Sequence, residues 1–233
     1  MLKRMNRSTV AGAALVMFLF GCTQGGDGGA GWQTSFDIDK CTLKTVGRNT
    51  YFILEPGHQK ILEGGDMRLQ ITVLNETRKV DGVETRVVEE REWKNGELYE
   101  VAKNYFAICE QTKDVFYFGE DVDFYKNGKV VKHDGTWHAG VNGNKAGLIM
   151  PGNPKVGMKH YQEIAPAIAM DRAEIISLDE TCQTPAGTFT KCMKVKETSA
   201  IDFTAVEYKY HAPDIGLVRD VDMSLVKYGR VKE

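Results

Sequence analysis

Apolar and polar residues alternate with a period of two along much of this chain. Met67, Leu69, Ile71 and Val73 fall on one side of a strand, with Arg68, Gln70 and Thr72 on the other. Phe189, Lys191, Met193 and Val195 alternate with Thr190, Cys192 and Lys194, and Val206, Tyr208 and Tyr210 alternate with Glu207 and Lys209. Successive side chains of a strand point to opposite faces, so this rhythm predicts half-buried strands of an antiparallel sheet. Asp81-Gly82, Asn95-Gly96, Asn127-Gly128 and Pro185-Ala186-Gly187 supply the residues that tight hairpin turns require. The spacing predicts a meander over about 67–79, 83–94, 97–110, 113–126, 129–134, 172–182, 188–199, 204–211 and 216–228. Helical periodicity is weak, and short helices are expected only near Gly157–Ile164 and Pro166–Met170. The fold class expected is mainly β: an antiparallel meander curled into an open or partial barrel, forming a single domain over residues 32–233.

One segment breaks the alternation. Between Gly135 and Met170 glycines and prolines are frequent, yet the stretch also holds Trp137, Met150, Pro151 and Tyr161. Long irregular segments inside a compact domain are uncommon and are usually functional or disordered. Two placements follow for these four residues. They line the mouth of a concave sheet and contact an apolar ligand or a protein partner, or they plug one end of the core, where apolar side chains mostly reside.

The amino terminus supplies an address. Lys3, Arg4 and Arg7 precede an apolar run from Val10 to Phe20, followed by Gly21 and Cys22. A basic start, a short apolar stretch and a small residue before the cut form a secretory signal, here residues 1–21. The run falls short of the roughly 20 apolar residues that cross a bilayer. Leu19-Phe20-Gly21-Cys22 resembles the lipobox of bacterial lipoproteins, with Phe20 departing from the small residue usual at its position. The resemblance implies cleavage before Cys22, diacylation of that cysteine and attachment to a membrane of the bacterial envelope through it. Thr23 in place of Asp implies delivery to the outer membrane. Residues 22–31 read as a Gly-rich tether reaching roughly 15–20 Å.

Composition narrows the partners. Removing Lys3, Arg4 and Arg7 from the 30 basic residues leaves 27 against 32 acids, a balance of −5. An acidic surface disfavours nucleic acid and a polybasic lipid-binding patch. With Cys22 lipidated, Cys41, Cys109, Cys182 and Cys192 remain, an even set that suggests two disulfides in an exported chain. Three pairings are open. Cys182 and Cys192 flank the Pro185-Ala186-Gly187 turn, which favours a bond across that hairpin and leaves Cys41 with Cys109.

Motifs for catalysis are missing. The chain has no CxxC, HxH, HExxH, GxSxG or Walker loop. Glu120, Asp121 and Asp123 form an acidic cluster without the calcium-loop pattern, so they read as a solvated strand face. His58, His133, His138, His160 and His211 are scattered, and no catalytic residue, metal site or cofactor is assigned.

Several blocks recur together in a known setting. They are Tyr117-Phe118-Gly119-Glu120-Asp121, Gly135-Thr136-Trp137-His138-Ala139-Gly140, Ile149-Met150-Pro151-Gly152-Asn153-Pro154-Lys155-Val156-Gly157, Thr184-Pro185-Ala186-Gly187-Thr188-Phe189 and Tyr210-His211-Ala212-Pro213-Asp214-Ile215-Gly216-Leu217-Val218. They resemble a family of uncharacterised exported bacterial proteins and lipoproteins over about residues 67–228. The resemblance implies curved antiparallel sheets, loosely similar to the half-barrels of lipoprotein carriers, and implies no activity. The leading expectation is a non-enzymatic envelope lipoprotein that binds an apolar ligand or an envelope protein on a concave sheet. A structural or assembly lipoprotein is the alternative, and a hydrolase with a convergent site is the third.

Overall fold

The structure is a computed structural model and describes residues 31–231. The expected signal peptide 1–21, the expected lipidation site Cys22 and all of the expected tether but Gly31 lie outside the described residues.

The chain folds as the alternation predicts, into one long antiparallel meander. Met67–Val80, Val83–Lys94, Glu97–Cys109 and Val115–Lys126 pair in succession through the Asp81-Gly82 and Asn95-Gly96 turns and the 110–114 connection. Asp81, Asn95 and Asn127 adopt φ near +50°, the left-handed conformation these short polar residues tolerate. The second half runs Asp171–Thr184, Gly187–Ser199, Val206–Ala212, Gly216–Asp220 and Met223–Arg230. The stretch expected as one strand over 216–228 is two, because Val221 turns the chain at φ +52°.

Two segments join these halves into a nearly closed barrel. His58–Gly64 pairs with Met67–Val80 on one side and with Met223–Arg230 on the other. Lys159–Tyr161 pairs with Asp171–Thr184, while Glu163–Ile164 pairs with Lys145–Met150, which in turn lies on Val115–Lys126. The two ends of the sheet are thus separated in sequence by Gln162 alone. A β-carbon on Gly147 would lie 2.4 Å from the Gln162 carbonyl, so only glycine permits the approach at this seam. The helices expected near Gly157–Ile164 and Pro166–Met170 are absent; the first is the seam itself, and the second is a turn bridged between Ala165 and Ala169. Isolated backbone segments of this size form whatever pairing satisfies their N–H and C=O groups, and here the sheet offers it.

The amino-terminal part caps one end. A small hairpin, Gly47–Asn49 with Phe52–Leu54, is held by Asn49, whose amide donates to the carbonyls of Lys113 and Pro151 at 2.8 and 2.9 Å. Phe52 packs edge-on against Phe106, ring centroids 5.1 Å apart. The Cys41–Cys109 disulfide ties the preceding segment to the barrel wall. The bond expected between Cys182 and Cys192 is not formed: both are buried free thiols. Lys191 takes φ +55° and inserts an extra residue, so Cys192 lies opposite Glu180 while Cys182 lies opposite Phe189. The Cys192 thiol donates instead to the Phe189 carbonyl at 3.4 Å.

Candidate functional site

The barrel encloses a cavity of about 380 Å³. Met67, Leu69, Ile71 and Val73, the side predicted from alternation, form one wall, with Val88 and Phe106 beside them. Ile175, Met193, Val195 and Leu217 form the opposite wall. Register fixes its polarity. Met67 pairs with Lys94, and Lys94, Tyr99 and Val221 are exposed lining residues, so this end is the rim. Phe52 and Ile53 of the capping hairpin line the other end.

The lumen is not uniformly apolar. Val206–Ala212 is turned the opposite way from the expected one. Val206 and Tyr208 are exposed, whereas Lys209 is buried and faces the cavity with His211. The reason is an internal ion pair. Lys209 Nζ lies 2.8 Å from Glu197 Oε2, with both side chains at most 5% exposed. Gln162 donates to the other Glu197 oxygen at 2.9 Å. Burial alone would raise Glu197, but Lys209 and Gln162 overcome it and hold the carboxyl well below its usual range. Burial disfavours the Lys209 ammonium, yet Asp220, Glu197 and Glu207 keep it firmly protonated. Outside the barrel Lys194 takes up Tyr208 and Tyr210 by cation–π contact at 4.7 and 5.5 Å.

Other buried polar groups on the lumen are less completely matched. Burial lowers Lys60 to about 8, a shift that Glu90 opposes from a distance. Among the described residues no carboxylate lies within salt-bridge distance of Lys60, and no acceptor is hydrogen-bonded to it. Burial lowers His160 to about 4 and His211 to about 3, so both rings are neutral near pH 7. Neither ring nitrogen of His160 has a partner, and neither does Nδ1 of His211. At the far wall the Tyr117 hydroxyl donates to Asn104 Oδ1 at 2.7 Å. Nearby, burial and Asp171 push the Glu163 carboxyl well above its usual range. A polar group left unsatisfied in such a place costs about 1–3 kcal/mol.

The four residues singled out in the irregular segment separate. Met150 and Pro151 line the cavity. Trp137 is buried against Tyr117, centroids 5.2 Å apart, and Tyr161 packs edge-on against Trp32 at 6.3 Å; neither lines the cavity. Sequence reading missed Lys60, Glu197 and Lys209, because polar residues on an inward face look like a solvated face.

A second constellation lies outside the barrel. His138 Nε2 is 2.9 Å from Asp121 Oδ1, and the other Asp121 oxygen accepts from Tyr105 at 2.7 Å and from Arg78. His133 approaches Asp123 at 2.7 Å. Among the described residues no serine, threonine or cysteine is hydrogen-bonded to either histidine. No group of three or more His, Cys, Asp or Glu positioned for a metal occurs among the described residues.

Comparison with known proteins adds little to this geometry. No family model and no curated protein sequence matches the chain. One solved structure, a provisionally named lipoprotein from Parabacteroides distasonis, aligns with 78% of this chain and all of its own at 14% identity and a TM-score of 0.39.

Proposed function

We propose that this chain is a lipid-anchored envelope protein whose barrel holds an apolar small molecule in its lumen without transforming it. The observation that carries the reading is the cavity of about 380 Å³. It falls within the ~300–1,000 Å³ typical of small-molecule sites, and its lining joins apolar wall residues to many inward polar and charged ones. The anchor half of the reading rests on the Leu19-Phe20-Gly21-Cys22 pattern, and outer-membrane delivery on Thr23. An assembly role gains no support from the sheet, since a nearly closed barrel leaves little unpaired edge to recruit another chain.

The direct test is native mass spectrometry of the protein purified from its own envelope in mild detergent. A bound small molecule, released on organic denaturation and identified as amphiphilic or apolar, is the expected result. Protein that carries no such molecule and fails to quench or enhance any of a panel of fluorescent lipophiles would overturn the reading.

A further inference from the structure

We propose that the lumen selects an amphiphile ending in a carboxylate, seated head-first with the carboxylate against Lys60 and His211 and its tail toward the rim. This rests on the lumen-binding reading and names the chemical class of its ligand.

The lumen contains two buried lysines that differ in one respect. Lys209 is matched: Glu197 lies 2.8 Å from its ammonium, and Asp220 and Glu207 add further negative charge. Lys60 is equally buried, at 7% exposure, yet among the described residues it has no carboxylate within salt-bridge distance. Glu90, two strands away at the level of Ile71, reaches it only through space. The ammonium lies against Gly216, so close that a methyl group there would be 3.0 Å from Nζ. Gly216 pairs with Ala212, the neighbour of His211, which brings Lys60 beside the His211 strand.

His211 Nδ1 is itself unpartnered and buried. His58, on the same face as Lys60, uses its Nε2 on the Ile215 carbonyl at 3.1 Å. Burial lowers both histidines and Lys60 lowers them further, against Glu197 acting on His211 and Glu55 on His58, so three basic side chains share one part of the lumen. A carboxylate has two oxygens. One accepts from the ammonium, and the other accepts from His211 in the tautomer that carries its proton on Nδ1. From Lys60 toward the rim Leu69, Met67 and Met223 offer apolar contact to a chain of methylenes, with Glu92, Lys94, Glu100 and Asp220 lining the same end.

The test uses the purified full chain, stripped of endogenous lipid on a hydrophobic resin, with calorimetric titration of sodium dodecanoate, dodecanol and dodecylamine. Dodecanoate is expected to bind at least about tenfold more tightly than dodecanol, the gain of a charge-assisted hydrogen bond, and dodecylamine most weakly. Lys60→Met should reduce dodecanoate affinity by about tenfold or more and leave dodecanol within about twofold. Glu90→Gln, which removes a like charge facing the head, should tighten dodecanoate. Equal binding of the acid and the alcohol by the unmodified chain, a comparison that needs no variant, would overturn the carboxylate assignment while leaving the lumen reading intact. Unchanged dodecanoate affinity in Lys60→Met would do the same. Failure of all three probes to bind would strike at the lumen reading itself.

Discussion

Lys60→Met removes a buried ammonium and keeps most of the length of its stem. Burial lowers this lysine from 10.5 to about 8. Such a fall means that the fold disfavours the charged form by about 3 kcal/mol. The sign follows from proton linkage. The unfolded chain binds the Lys60 proton more tightly than the folded one, so stability rises with pH between the two values. Below pH 8 the full penalty is present, and it fades as the pH approaches the unfolded value of about 10.4. The methionine variant should therefore be more stable than the unmodified protein by about 3 kcal/mol at pH 7, and by less than about 1 kcal/mol at pH 10. Urea denaturation followed by tryptophan fluorescence at both pH values measures this directly. With an unchanged m-value the midpoint shift reports stability alone. In thermal scans the gain at pH 7 corresponds to roughly 6–12 °C for a domain of this size. A variant that is less stable at pH 7, or a gain that does not change with pH, would refute the claim that Lys60 is buried without an ion-pair partner. An ammonium engaged in a buried ion pair would give the opposite sign, a loss of about 3–5 kcal/mol on removal.

That opposite sign is expected for the other lumen lysine. Lys209→Met strands the buried Glu197 carboxylate and should cost about 3–5 kcal/mol at pH 7, with the loss shrinking in acid as Glu197 takes up its proton; equal stability of variant and parent in a urea titration would contradict the pairing. Reducing the Cys41–Cys109 disulfide, which spans 68 residues, should lower stability by about 4 kcal/mol in the chain-entropy account, read as a shift in urea midpoint with and without reductant. Burial raises both remaining thiols, Cys192 to about 12, so iodoacetamide should modify Cys182 and Cys192 only after unfolding; peptide mapping that finds them joined would contradict the free-thiol assignment. Cys22→Ala should release the protein from the membrane fraction, and unchanged fractionation would remove the lipid-anchor proposal.

Much of the barrel was legible in the chain because one wall obeys a simple rule. Met67, Leu69, Ile71 and Val73 alternate with polar residues and line the lumen as that alternation implies. The Asn-Gly and Asp-Gly turns were equally plain, since few residues accept a positive φ. The opposite wall misled for a physical reason. Where the lumen contains its own ion pair, the inward face of Val206–Ala212 carries Lys209 and His211, and the tyrosines face out. His58–Gly64 escaped notice because it carries His58 and Lys60 inward as well, reversing the pattern that marks a strand. Lys191 shows a third limit: one residue in a left-handed conformation shifts the register of Cys192, and no propensity marks a lysine for that place. The seam at Lys159–Ile164 depends on pairing to both sides at once, which no local window can display.

The pairing of His58–Gly64 with Met223–Arg230 has a consequence for how the protein is made. Every neighbouring pair within the meander is close in sequence, but this one joins the early part of the described chain to its last strand. Contacts of such long range form late, because the entropy of closing so large a loop must be met first. A chain made amino end first thus presents His58–Gly64 with one side unpaired until Met223–Arg230 arrives. During that interval the open edge is a template for association with other chains. Truncation of Met223–Arg230 should accordingly leave a species trapped in this sticky, half-assembled condition, and the time spent there sets the demand for a chaperone.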